Sequence, residues 1–183
     1  LVMPAVNLVH LPESVPFEQG AIISDAVATP FHALYAVGGM KPGETVAVFG
    51  VGGLGIHGVA LARLGGAGKV IAVDVRDAAL AKAAARGADL TINAAREDPV
   101  AAILEATGGL GADLAVDLVG RAVSIGTQSE ITTLVGLVAS GRLDLAPSID
   151  LKLPLSEVNQ AMERLHQKID DPVRIVVMPH GIE

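Results

Sequence analysis

The stretch that decides the fold is Val46-Ala-Val-Phe-Gly50-Val-Gly52-Gly53-Leu54-Gly55, and Val70-Ile-Ala-Val-Asp74 follows it. Both stretches contain an apolar run typical of a buried β-strand, and residues 57–64 between them are expected to form a helix. A strand, a Gly-x-Gly-x-x-Gly turn, a helix and a second strand that ends in an acid form the pattern of a dinucleotide-binding unit. An ordinary strand-to-helix turn is the alternative, because tight turns use glycine in any case.

Each glycine of the pattern has a predicted task. Gly50 allows the strand to turn sharply, and Gly52 allows backbone N–H groups to approach a pyrophosphate. Gly55 is expected to let the helix lie close on the sheet. The pyrophosphate would then sit at the positive end of the helix dipole, on a loop that Gly53 and Leu54 complete.

Asp74 narrows the choice of cofactor. A carboxylate at the end of the second strand accepts hydrogen bonds from the ribose hydroxyls of an adenosine and repels a 2′-phosphate, which favours NAD over NADP. Arg76 has two interpretations, since its guanidinium could hold a phosphate or could be a solvated turn residue.

The segments after the second strand continue the alternation of strand and helix. Helices are predicted at 78–86 and 99–107, and strands at 90–93 and 114–119. Each connection between parallel strands requires a crossover, so we predict an α/β fold with a Rossmann-type doubly wound parallel sheet. Val119 and Gly120, at the end of the fourth strand, are included in the predicted cofactor site. Residues 1–20, with three prolines, are expected to be extended, and residues 21–37 helical.

Composition excludes several classes of function. The 183 residues suffice for one domain and carry a net charge of −7 with 2% aromatic residues, which argues against a nucleic-acid partner. The chain has no cysteine, so disulfides, thiol nucleophiles and cysteine-ligated zinc are excluded within it. No apolar run is long enough to cross a bilayer, so no membrane partner is expected and the cytoplasm is the expected compartment.

The motif Gly50-Val-Gly-Gly-Leu-Gly55 and the stretch Asp25-Ala-Val-Ala-Thr29-Pro-Phe-His-Ala-Leu34 resemble the zinc-containing medium-chain alcohol dehydrogenases. The resemblance implies that Asp25 is a ligand of the catalytic zinc and that Thr29 lies against the nicotinamide as a catalytic residue. It also implies that Arg174 contacts the pyrophosphate. Without the resemblance, each of these residues has another possible role. Asp25 could be a helix N-cap, Thr29 a helix-entry residue and Arg174 a solvated arginine of an edge strand.

Two departures from this family affect the expected domains. The substrate domain, with the other zinc ligands, would lie before Leu1, so remnants of a GroES-like domain are expected at both ends. The expected division is an entry segment (1–27), an NAD-binding domain (28–144) and a return segment (145–183). A six-stranded sheet would also need roughly 35 to 50 more residues near positions 120–124.

The resemblance implies hydride transfer between NAD and a small alcohol, aldehyde or ketone, with zinc as a Lewis acid in the intact enzyme. It also implies a homo-oligomer, dimeric or tetrameric, that associates through residues 122–125. A zinc-free quinone or enoyl reductase and a nucleotide-binding module without catalysis are the alternatives. A short-chain dehydrogenase is disfavoured, because Gly39 rather than a lysine lies four residues after Tyr35.

Overall fold

The computed structural model describes residues 4–119 and 127–179. A continuous helical segment runs from Phe17 to Val37, after a short 3₁₀ turn near the start of the chain. It consists of α1 (Phe17–Ile22), a π-helical turn (Ile23–Val27), α2 (Ala28–Phe31) and a second π-helical stretch (His32–Val37). A regular α-helix would set the ring of Pro30 against the carbonyl of Ala26, and the wider turn before it avoids that clash. Residues 17–20 belong to α1, so the expectation of an extended chain through residue 20 is wrong for these four residues.

Four parallel strands form the main sheet. They are β1 (Thr45–Phe49), β2 (Lys69–Asp74), β3 (Leu90–Asn93) and β4 (Leu114–Asp117), in the spatial order β3-β2-β1-β4. Ala47 of β1 pairs with Ile71 of β2 on one side and with Ala115 of β4 on the other. The crossovers contain α3 (Gly55–Leu64), α4 (Asp77–Ala85) and α5 (Pro99–Ala106), and α6 (Gln128–Ala139) follows further along the chain.

Alternate residues of the strands point to opposite faces of the sheet. Val46 and Val48 belong to a large core that α3, α4 and α6 cover, whereas Ala47 packs with Ile103 of α5 in a smaller core. Helices therefore lie on both faces of a parallel sheet, which confirms the predicted Rossmann-type doubly wound fold.

The end of the described chain forms a second, smaller sheet. Its parallel strands are β5 (Leu151–Pro154) and β6 (Ile175–Met178), and α7 (Val158–Gln167) connects them. Val176 of β6 and Val15 near the start of the chain both belong to the large core. Residues of the expected entry and return segments thus share one hydrophobic core with the dinucleotide-type sheet.

Several element boundaries differ from the expected ones. β4 ends at Asp117 rather than at residue 119, and β5 was not predicted. Positions 120–125 lie outside the described part of the chain. They include Gly120, the segment 122–125 expected to form the subunit contact, and the place near 120–124 where further residues were expected. Among the described residues, no helix has both the length and the apolar character needed to span a membrane.

Candidate nucleotide-binding site

The glycine turn after β1 has close contacts that leave no room for a side chain at Gly50 or Gly55. Gly50 has a φ of +77° and donates its N–H to the carbonyl of Val73 at 2.7 Å. A Cβ on Gly50 would lie 2.2 Å from Cγ2 of Val119, and one on Gly55 would lie 1.8 Å from the carbonyl oxygen of Gly50. Both positions therefore require glycine for this turn.

The reason for Gly55 differs from the predicted one. Its missing side chain makes room for the backbone of the loop itself, whereas a Cβ there would meet Val48 of the sheet only at an ordinary 3.6 Å. Gly58, one turn later, has a closer contact with the segment after β4: its Cβ would lie 3.0 Å from Cδ1 of Leu118. Gly58 is buried and was not singled out from the sequence.

The N-terminus of α3 faces a cation rather than a capping side chain. Leu54, its N-cap residue, makes no side-chain cap within the described structure. Ile56 and His57 donate their N–H groups to the carbonyls of Gly52 and Leu54. The N–H groups of residues 52–55 have no acceptor among the described residues and remain available. The guanidinium of Arg174 lies over Gly53, where a Cβ would be 2.2 Å from Nη1. A helix N-terminus and a guanidinium together form an electropositive site for an anion.

Arg174 is the residue immediately before β6, and contacts at the start of this strand position it beside the glycine loop. The Asp150 carboxylate accepts hydrogen bonds from the backbone N–H groups of Val173 and Arg174, the latter at 3.0 Å. Burial lowers the pKa of the Arg174 guanidinium, and the carboxylate of Asp25 partly offsets this by raising it. The predicted alternative of a solvated edge-strand arginine does not describe this half-buried side chain.

Asp74 lies at the carboxyl end of β2, as the sequence pattern predicts. Its Oδ2 accepts from the N–H of Val51 at 3.0 Å, and its Oδ1 accepts from the N–H of Arg76 at 3.0 Å. The carboxylate borders a cavity of about 350 Å³, lined among others by Gly50, Gly52, Val75, Ala94, Leu118 and Val119. This cavity opens where ligands bind in doubly wound sheets.

Arg76 lies between two acids. Its Nε is 3.5 Å from Oδ1 of Asp74, and its Nη1 pairs with Asp171, which is 95 residues away in sequence. The side chain is one third exposed. Arg76 is therefore ion-paired on both sides, and the interpretation as a freely solvated turn residue is wrong.

A second cavity lies on the other side of Arg76, and it combines predicted site residues of the glycine loop with residues that were not predicted. It encloses about 250 Å³ between the glycine loop and the segment after α7, and Lys82, Lys168 and Asp171 line it. Lys82 donates to the backbone carbonyl of Asp171 at 2.6 Å. Nothing in the local sequence around Asp171 indicates this long-range contact.

The residues expected near the reacting end of a cofactor lie in the helical segment before the sheet. Asp25 is exposed and sits within the first π-helical turn, so it is not an N-cap residue, and neither helix beside it has a side-chain cap in the described structure. Thr29 is only 2% exposed, in α2. Within residues 4–119 and 127–179, no group of three His, Cys, Asp or Glu side chains could hold a metal. These residues alone do not form a zinc site.

Two other polar side chains of this region have structural contacts. His32 pairs with Glu130 at 3.0 Å, and Glu130 also belongs to the capping box that begins α6. The hydroxyl of Tyr35 donates to the carbonyl of Leu61 at 2.7 Å, and burial raises its pKa. Tyr35 thus stabilises the packing of α3, in line with its exclusion as a catalytic tyrosine.

Comparison with known proteins identifies the family. The model of the zinc-binding dehydrogenase family matches residues 53–153, which is more than half of the chain. The chain belongs to the zinc-binding dehydrogenase family. The NADP-dependent isopropanol dehydrogenase of Thermoanaerobacter brockii is 35% identical over 136 residues, covering 74% of this chain and 38% of that protein. The fold also matches the zinc-dependent alcohol dehydrogenase 2 from Streptococcus pneumonia, with a TM-score of 0.84, 21% identity and coverage of 100% of this chain and 65% of the other.

An alcohol dehydrogenase of Cupriavidus necator shows how the chain differs from longer relatives. It is 25% identical and covers 95% of this chain but 60% of its own length. The alignment runs over 219 positions, whereas 95% of this chain is about 174 residues, so about 45 positions of that relative have no counterpart here. This chain spans less than two thirds of the length of this relative and of the Thermoanaerobacter enzyme.

Proposed function

We propose that this protein binds NAD at the turn between β1 and α3. The observation that carries the proposal is the uncapped N-terminus of α3 beside the guanidinium of Arg174, because a helix dipole and a cation converge there on one empty surface. The pyrophosphate would lie against the N–H groups of Gly52, Gly53 and Leu54. Val119 and Gly120 would border the site on the side of β4.

The adenosine would occupy the cavity beside Asp74. This carboxylate keeps lone pairs for ribose hydroxyls in addition to the two backbone N–H groups that it accepts. Its negative charge disfavours a 2′-phosphate, so we expect AMP to bind more tightly than adenosine 2′,5′-bisphosphate. Tighter binding of the bisphosphate would contradict the proposed preference for NAD.

We further propose that the intact enzyme is an oxidoreductase that transfers a hydride between NAD and a small alcohol, aldehyde or ketone. Family membership supports this reaction class. Thr29 is proposed to border the nicotinamide, and Asp25 to serve as a zinc ligand if other residues complete the site. The corresponding domains are the segments 1–27, 28–144 and 145–183, and a cytoplasmic homo-oligomer is the expected form.

A variant of Gly52 tests nucleotide binding directly. The nearest atom to a Cβ on Gly52 is Nη2 of Arg76 at 3.5 Å, so a valine fits the fold but fills the space proposed for the pyrophosphate. We expect Gly52→Val to weaken NAD binding at least about ten-fold in isothermal titration calorimetry. Gly136→Val is the matched control, since Gly136 lies exposed in α6 with open space around it. Unchanged NAD affinity in a folded Gly52→Val protein would overturn the proposal.

A further inference from the structure

Arg76 forms the wall between the two cavities beside the glycine loop. Both cavities are lined by Gly52 and Arg76, with Asp74 on one side and Asp171 on the other. The guanidinium has its Nε near Asp74, its Nη1 on Asp171 and its Nη2 over Gly52. The guanidinium thus lies along the edge of the proposed adenosine cavity, with its Nη1 end directed toward the segment that follows α7.

Asp171 is fixed in place by its backbone as well as by its side chain. Its N–H donates to the carbonyl of Lys168 at 3.0 Å, and its own carbonyl accepts from Lys82. Lys168, Asp170 and Asp171 have φ values of +52°, +63° and +45°, a conformation that costs free energy in residues other than glycine. The surrounding contacts maintain this turn, and the turn holds the Asp171 carboxylate against Arg76.

The ion pair has a consequence for phosphate recognition. A guanidinium binds a phosphate best through two parallel N–H donors, and one end of the Arg76 fork is occupied by Asp171. A phosphomonoester carries up to two negative charges at neutral pH, and both Asp74 and Asp171 repel it here. While Arg76 is paired with Asp171, its guanidinium therefore does not bind a 2′-phosphate.

We propose that Asp171 is a positioning residue that sets nucleotide specificity by holding Arg76 away from the 2′-position of a bound adenosine. The inference rests on the proposed nucleotide site. It assigns the choice between the unphosphorylated and the 2′-phosphorylated nucleotide to two residues, Asp74 in direct contact and Asp171 through Arg76.

Asp171→Asn tests this assignment. The asparagine keeps the shape of the side chain and tolerates the left-handed backbone, but it removes the charge that holds the guanidinium. We expect the affinity for adenosine 2′,5′-bisphosphate, relative to that for AMP, to rise about ten-fold in calorimetric titrations. A loss of structure alone would weaken both ligands and would not produce this gain.

Asp170→Asn is the matched control. Asp170 also has a left-handed backbone and carries the same charge, but its partner is Arg164 rather than Arg76. We expect its affinity ratio to equal that of the wild type. Adding Arg76→Gln to Asp171→Asn should abolish the gain, because the freed guanidinium is then absent.

The outcomes separate this inference from the proposed function. An unchanged ratio in Asp171→Asn, an equal rise in Asp170→Asn, or a gain that survives Arg76→Gln would each overturn the role of Asp171 while AMP binding still supports the nucleotide site. If the wild-type protein binds neither AMP nor the bisphosphate, the proposed function and this inference are both wrong.

Discussion

His57 is a buried polar residue whose chemistry the proposed site does not use. It lies in α3 with 1% exposure, and its Nε2 finds no hydrogen-bond partner within the described parts of the chain. Burial lowers the pKa of its imidazole to about 3, with the charges of Arg174 and Arg86 acting in the same direction. The ring is therefore neutral in the folded protein at pH 7.

This burial predicts an acid-sensitive stability. Between the unfolded pKa near 6.5 and the folded value of about 3, the unfolded chain binds a proton at His57 that the folded chain does not. The free energy of unfolding should therefore fall as pH drops through this window. At pH 4.5 the loss from this residue is on the order of 2 kcal/mol. Urea denaturation at pH 7 and pH 4.5 measures it in the wild type and in His57→Leu.

Between pH 7 and pH 4.5, the free energy of unfolding of His57→Leu should fall by about 2 kcal/mol less than that of the wild type. His166→Leu is the control, because His166 is exposed on α7. The interpretation would be wrong if the two variants had the same pH dependence.

At the scale of elements, the turn between β1 and α3 is the part of the structure most tightly limited by backbone contacts. A single methyl group on Gly55 would meet the carbonyl oxygen of Gly50, which cannot move without breaking the turn. Gly136, in the exposed part of α6, has open space around it. A glycine-to-alanine substitution should therefore lower the free energy of unfolding at Gly55 and raise it at Gly136.

We expect Gly55→Ala to lower the free energy of unfolding by about 3 kcal/mol, because the turn must distort. Gly136→Ala should raise it by about 0.5–1 kcal/mol, since alanine has the higher helix propensity. Chemical denaturation of both variants measures these changes. A Gly55→Ala protein as stable as the wild type would contradict the tight turn described here.

The central elements were predictable because their signals are local. β3 has the predicted bounds of 90–93. The predicted second strand differs from β2 by one residue at its start, and the predicted helix after it differs from α4 by one residue at each end. Apolar runs, glycines after helices and the acid at the end of β2 were sufficient to predict these elements. β5 was missed because Leu151–Pro154 is a short strand that includes a proline, and only pairing with a distant strand makes it one.

In the whole molecule, the proposed site gathers residues from two distant parts of the sequence. The glycine loop and Asp74 come from the predicted motif, whereas Arg174 and Asp171 reach the loop from the last part of the described chain. The sequence predicted the motif from spacing, and Arg174 only through family resemblance. It could not predict the pairing of Arg76 with Asp171, because a left-handed turn after α7 creates that contact.

If the turn between β1 and α3 binds the diphosphate of a nucleotide, the backbone amide groups of this turn should respond to a diphosphate. The most direct measurement is the titration of the ¹⁵N-labelled protein with ADP, followed through the backbone amide signals. We predict the largest shift changes at Gly52, Gly53 and Leu54, whose N–H groups have no acceptor among the described residues, with smaller changes at Asp74 and its neighbours. Saturating ADP that leaves these three amide signals in place, or that shifts only signals of other elements, would contradict the account.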